Sequence, residues 1–391
     1  MASSSDETTA PAGEAEEEGP VTEALRERVE QGPPASLARR VLPKLVLSLF
    51  LGALFAWLVA RGGVPLIPPG EAFGRVVWWT VPAYVGALLF THFVRASRWR
   101  FLIAPVKELS LREVIALNWI GFFAIFALPL RLGEMARPAL TKLRQGIPVS
   151  VGFGTIAVER VVDGLVTSLC VAWALFAIPM METDDPIAKA LPFYGYLALT
   201  VFGSAFVALG VFLWQRAWAV RMTEKVFGIL SKRLGTLLAE KVDGVAEGIR
   251  SLGSAKLTLG FLFETMIYWL SNAAGMWLLA WGSGIPMDFG HGIAVMGILA
   301  IGILLPTGPG LFGNFQLAIS TALKLYFAEA LVGTQGAVYI FLLYVTQSVI
   351  IVLAGVIPLY AMNLGLGDLL GTKQLKEGLS QPPPAMGDEA R

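Results

Sequence analysis

Within residues 126–163, FALPLRLGEMARPALTKLRQGIPVSVGFGTIAVERVVD, an apolar run breaks at Pro129, Arg131, Gly133, Glu134, Arg137 and Pro138. The next apolar segment carries Glu159, Arg160 and Asp163 in its first half. An ionisable side chain at the bilayer centre costs about 2.5–3.5 kcal/mol even on insertion scales, so charges kept there pair, line a wet cavity or bind a ligand. Arg131 and Arg137 offer guanidinium forks that match phosphate geometry and stay charged at any working pH. Glu134 stands between them, placed to hold them apart when no anion is bound. Glu159 and Asp163 are four apart and share a helix face, and Arg160, three before Asp163, can close a local pair. At 1.5 Å per residue, Glu159 lies about 12 Å from a helix start at Val151, near the bilayer centre. Each group also has a plainer reading: arginines touching lipid phosphates in the headgroup zone without selectivity, and an ion pair that only ties two segments together.

The elements that must position these residues are membrane helices. The 391 residues are 55% hydrophobic and 15% charged, outside the range of soluble domains, and many apolar runs approach the ~20 residues that cross a bilayer. Residues 1–38 are acidic and lack aromatics, which predicts a disordered tail and no signal peptide. Residues 39–363 form the membrane domain, and 364–391 a second disordered tail. Spans are expected at about 42–60, 76–94, 151–179, 191–214, 257–281 and 337–362. Arg39, Arg40 and Lys44 place the N-terminus in the cytoplasm, and Lys373 and Lys376 do the same for the C-terminus. Arg95, Arg98, Arg100, Lys107 and Arg112 read as a cytoplasmic loop after the second span. Tryptophans 78, 79, 99, 214, 218, 269, 277 and 281 read as an interfacial belt. Residues 216–256, basic with an apolar face through Leu230, Leu234, Val245 and Ile249, read as a cytoplasmic amphipathic helix or a connector packed on the bundle.

Two segments are too short or too symmetrically flanked to cross. Residues 113–128 have basic sequence on both sides, which predicts a hairpin from the cytoplasm broken near Pro129–Gly133. Residues 292–305 and 315–328 flank PTGPGLFGNF, which predicts a second hairpin from the opposite side, with Asp288 and His291 before it. The fold class is therefore an all-α polytopic bundle of about six full spans and two re-entrant or broken-helix hairpins. FALPLRLGEMARPAL and LLPTGPGLFGNFQLAI share a Leu-Pro break, a glycine and a resumed helix, as an inverted repeat would give, and transporters place substrate at such breaks. Asn314 and Gln316 follow the second break as candidate headgroup ligands. Glu264 and Lys324 are isolated charges able to join the same set.

No Ser/His/Asp, Cys/His or metal-ligand spacing is present, so no catalytic residue, cofactor or metal is assigned. The string GPGLFG satisfies G-x-G-x-x-G but lacks the strand and βαβ context of a dinucleotide site. With a net charge of +1, nucleic acid is not an expected partner. Cys170, the single cysteine, reads as a small buried hydrophobe.

RASRWRFLI at 95–103, PLRLGEMARPALTKLRQGIP, TIAVERVVDGL and LPTGPGLFGNFQ together resemble the transmembrane domain of lysylphosphatidylglycerol synthase, a flippase-like membrane family. The resemblance runs from about residue 40 to 363. It implies lipid handling by a region that includes Arg131, Glu134, Arg137, Glu159, Arg160 and Asp163. Bifunctional relatives carry a cytosolic aminoacyltransferase domain after the membrane part, and so few residues follow the last span here that this chain is not expected to aminoacylate lipid. Relatives often place a Gly-Gly pair and an acid at the second break, where this chain has Leu311 and Gln316. The expected function is a plasma-membrane flippase-like protein moving a phospholipid or lipid-linked anion between leaflets. An intramembrane lipid-modifying enzyme with Glu159 or Asp163 as base, and a non-transporting scaffold for an envelope-synthesis enzyme, are the alternatives.

Overall fold

The computed structural model describes residues 35–128, 133–182, 186–215, 254–305 and 308–362, with the short stretches 221–222, 224–225, 240 and 243–249. Residues 1–34 of the predicted first tail, all of the second, Arg131 and most of 216–256 lie outside the described residues, while 35–38, expected in the first tail, belong to a helix. Contacts divide the chain at Pro43; the first unit contributes the start of α1, and the second, Lys44–Arg391, holds everything below. Every regular element among the described residues is a helix, the longer ones in the order α1 (Ala35–Arg61), α2 (Thr80–Ser97), α3 (Trp99–Ile103), α4 (Leu111–Ala127), α5 (Ala136–Gln145), α6 (Val149–Ala177), α7 (Pro186–Trp214), α8 (Ala255–Gly282), α9 (Phe289–Gly302) and α10 (Asn314–Tyr326). A helical turn, Glu329–Leu331, and a π-helical stretch, Val332–Gly336, lead into α11 (Ala337–Ala361). The all-α membrane bundle expected from the sequence is the observed fold.

Three helices are long and apolar enough to cross a bilayer by themselves: Val149–Ala177, Pro186–Phe212 and Glu329–Ala361. That is fewer than the six crossings expected. The 28-residue α8 has the length, but it carries Lys256 and Glu264, and the 18-residue α2 carries His92 and Arg95. Lys256 is exposed at the start of α8, whereas His92, Arg95 and Glu264 are turned at least partly inward. α7 meets the bilayer most openly: Phe193, Tyr196, Val201, Val207 and Val211 are exposed large hydrophobics.

Both hairpins are present as folded-back helix pairs. In the first, Gly133 abuts the Ala124 backbone, Arg137 lies along Gly121 and Asn118, and Gln145 Nε2 donates to Glu113 Oε1 at 2.8 Å, so α5 runs back along α4. α4 begins in a capping box. Ser110 Oγ accepts from the Glu113 N–H at 3.3 Å, and Glu113 Oε2 accepts from the Ser110 N–H at 3.2 Å. The hydrogen bonds from Ser110, then from Gln145, hold the exposed Glu113 carboxyl below its ordinary pKa. Its contribution is thus complete above the unfolded value near 4.5 and lost as pH falls through the folded one. Ser110→Ala is expected to cost about 1 kcal/mol by removing this cap, read as a lower unfolding temperature. α5 ends on Gly146 in the left-handed region, φ 73°.

In the second hairpin, Asn314 Nδ2 donates to the Gly302 carbonyl at 2.7 Å and a Cβ on Gly302 would meet Ala318, so α10 folds back along α9. Asp288 caps α9 by accepting from the His291 N–H at 2.9 Å, a bond that holds its carboxyl below the ordinary range. The end of α4 meets the second hairpin: Gly310 lies against the Phe126 ring, and Tyr344 donates to the Gly310 carbonyl at 3.1 Å. Leu311 takes φ 57°, a conformation an L side chain adopts at a cost of about 1–2 kcal/mol.

The remaining frame is an antiparallel pair, α2 against α8. It is closed by Thr80 on Gly282, Tyr84 on Gly275, Thr91 to Ser271 at 3.0 Å and Ser97 to Glu264 at 2.5 Å. Residues 243–249, the described part of the basic stretch, pack on α6 through the mutual close approach of Gly154 and Gly248, with Ala246 and Ile249 buried.

Candidate functional site

α6 places Val151, Thr155, Val158, Glu159, Val162, Asp163 and Thr167 on its buried face, so its two acids point into the bundle. Burying a carboxylate is tolerable only with a matched cation. Asp163 meets Arg98 in a two-pronged bond: Nη1 to Oδ1 at 2.6 Å and Nη2 to Oδ2 at 2.7 Å. Trp269 Nε1 adds a donor to Asp163 Oδ1 at 3.2 Å, and Arg98 Nη1 also donates to Thr265 at 3.1 Å. The guanidinium carbon of Arg98 sits 4.9 Å from the Tyr268 ring centre. One turn away, Arg137 Nη2 donates to Glu159 while its Nη1 donates to Asn118 Oδ1 at 2.5 Å. Asn118 Nδ2 is in turn fixed by the Val114 carbonyl at 2.8 Å. Trp99 Nε1 reaches Thr155 at 3.0 Å. α2, α4, α5, α6 and α8 are thus tied at one level of the bundle, between two apolar clusters, one containing Trp269 and the other Trp99 and Phe261.

Above these pairs is a cavity of about 170 Å³, many times the ~10–15 Å³ that one water needs. Its polar lining is made by His92, Arg95, Arg160, Asp163 and Asn272; its apolar lining includes Phe126 of the first hairpin, Leu304 and Leu311 of the second, and Ile351. Arg95 lies 4.2 Å over the Phe122 ring and 5.6 Å from that of Tyr268. A smaller crevice lined by Glu134, Arg137 and Arg160 opens beside Phe122.

The structure redistributes several roles read from the sequence. Glu159, Arg137 and Asp163 come together as expected, but Asp163 pairs with Arg98, 65 positions away, and not with Arg160. Arg137 is committed to Glu159 and Asn118, which leaves little of its fork for a ligand. Arg160 and Glu134 line cavities. Asn314 and Gln316 are buried and bonded within their own hairpin, to the Gly302 carbonyl and the Gly313 N–H, and neither lines the cavity. Glu264 joins Ser97 and Arg100. Lys324 Nζ lies beside Gly62, and Lys324 does not line the cavity.

Sequence reading assigned Arg95 and Arg98 to a cytoplasmic loop. Instead α2 runs to Ser97, α3 begins at Trp99, and Arg98 is 1% exposed at the bend between them. The positive-inside rule misleads here because it counts basic residues without seeing which face of a continuing helix they occupy. The spacing Arg95, Arg98 with Trp99 beside it was the available signal: a three-residue step puts both arginines on one helix face. Trp99 and Trp269 likewise leave the interfacial belt for buried hydrogen bonds, whereas Trp78, Trp79 and Trp281 stay exposed.

No curated protein and no solved structure matches the chain. The family model of the lysylphosphatidylglycerol synthase transmembrane region matches residues 44–357, which include every residue of the ion-pair network and the cavity. With four separated motifs, two broken hairpins and that match in agreement, this chain is a membrane protein belonging to the lysylphosphatidylglycerol synthase transmembrane-region family.

Proposed function

We propose that the protein moves an amphiphile with an anionic headgroup between membrane leaflets, in the plasma membrane, with both termini cytoplasmic. The observation that carries this reading is a cavity lined by arginines and by apolar side chains, the latter drawn from both folded-back hairpins where Gly310 meets Phe126. A headgroup phosphate suits the arginines and an acyl chain the leucine and phenylalanine side chains, and discontinuous helices are where transporters hold substrate. The ion pairs beneath are the rigid floor that keeps the arginines in place. Among the described residues of the site no nucleophile is hydrogen-bonded to a free base, and the acids Glu159 and Asp163 are taken by arginines, which favours transport over lipid modification.

The test is leaflet exchange of a fluorescent phosphatidylglycerol in proteoliposomes. Reconstituted protein is expected to speed exchange. Asn272→Phe, which fills the cavity from α8, is expected to lower the rate at least tenfold with the unfolding temperature held. Equal rates with and without protein, or no effect of filling the cavity, reject the reading.

A further inference from the structure

We infer that Arg95 and Arg160 form a binding site for a single phosphodiester monoanion, with His92 completing it. This deepens the transport reading and rests on it for the ligand being a lipid.

Charge points to the ligand first. Four arginines, Arg95, Arg98, Arg137 and Arg160, gather around these cavities with three carboxylates, Glu134, Glu159 and Asp163. Glu159 and Asp163 are used by Arg137 and Arg98, and among the described residues no carboxylate lies within ion-pair distance of Arg95 or Arg160. A cation without a carboxylate partner in a low-dielectric bundle is costly, and an anionic ligand would offset it.

Hydrogen bonding points the same way. The Nε atoms of Arg95 and Arg160 are buried with no partner, and so is Nε2 of His92, a side chain 7% exposed that lines the same cavity. Buried donors are rarely left unmet, and two arginine Nε–H groups on one cavity indicate a missing acceptor group, to which an imidazole carrying its proton on Nε2 could also donate. The guanidinium carbon of Arg95 lies over the Phe122 and Tyr268 rings, which hold it in place beside the cavity. A phosphodiester supplies two non-bridging oxygens that two forks can share, and the apolar lining of the cavity receives what is esterified to it.

The experiment titrates full-length protein in nanodiscs of neutral lipid with dioctanoyl phosphatidylglycerol, dioctanoylglycerol or glycerol 3-phosphate, and reads binding by native mass spectrometry and thermal shift. Phosphatidylglycerol is expected to bind and raise the unfolding temperature, and dioctanoylglycerol to bind at least tenfold more weakly. Arg95→Gln and Arg160→Gln should each weaken phosphatidylglycerol binding at least tenfold. Each variant without ligand should unfold at or above the wild-type temperature, because each loses an unpaired cation. Wild-type affinity in both variants overturns the site, even if leaflet exchange is intact. Glycerol 3-phosphate binding as tightly as phosphatidylglycerol, and lost in both variants, keeps the anion site and removes the lipid-transport reading.

Discussion

Asp163→Asn is expected to lower stability by about 3–5 kcal/mol, the range for leaving one member of a buried ion pair without its partner. Arg98, 1% exposed, would keep a full charge facing a neutral amide oxygen, Thr265 and aromatic faces, with no carboxylate paired to it. A guanidinium cannot shed its proton to escape that cost, whereas a carboxylate can. Arg98→Met is therefore expected to be milder than Asp163→Asn, since Asp163 retains the Trp269 donor and can take up a proton. The double variant Arg98→Met/Asp163→Leu should recover most of the loss, because an apolar replacement of a buried pair is often neutral. Unfolding temperatures of the three variants in the same detergent settle the order. A double variant as unstable as Asp163→Asn would mean that the pair does more than neutralise itself, and that Trp269 and Thr265 depend on it for their positions.

The second large effect belongs to the turn of the second hairpin. Gly313 has φ 83°, and a Cβ there would overlap the Gly52 carbonyl and stand 2.8 Å from the Ala56 nitrogen. Gly313→Ala combines a left-handed conformation, about 1–2 kcal/mol, with overpacking against backbone, about 1–3 kcal/mol. A total near 2–5 kcal/mol follows, visible as a large drop in folded yield or unfolding temperature. Gly310→Ala is the control. Its φ is 73°, but its Cβ would meet only the Tyr344 hydroxyl at 3.1 Å and the edge of the Phe126 ring at 3.4 Å, side chains that can shift. Only the conformational cost should remain. Equal losses in the two variants would show that the close packing of the turn on α1 contributes nothing.

The same turn shows how α1 was made for its place. Its outward residues Val46, Leu47, Leu49, Phe50, Leu54 and Trp57 are exposed and apolar, while Ser48, Gly52 and Ala56 face the hairpin. Small residues four apart let backbone approach backbone, which is the usual way membrane helices associate when lipid offers no hydrophobic incentive.

Local composition settled the larger features. Apolar runs of helical length, Leu-Pro breaks with glycine, and the motifs around Arg137 and Glu159 are contiguous signals, and each led to the observed element: spans, two folded-back hairpins, and acids on the inner face of α6. A segment of this composition has no other way to satisfy its backbone in hydrocarbon than to be helical. Partnership was a different matter. Asp163 had Arg160 one turn away and chose Arg98 on α2; Asn314 and Gln316, polar beside a break, turned inward to close their own hairpin. Which cation a carboxylate meets depends on the rotation of two helices about their axes, fixed by remote contacts such as Gly282 on Thr80 and Gly275 on Tyr84. The sequence alone therefore determined that charges would be buried in this bundle, and only the packing of α2 against α6 and α8 decided which would be neutralised and which left facing a cavity.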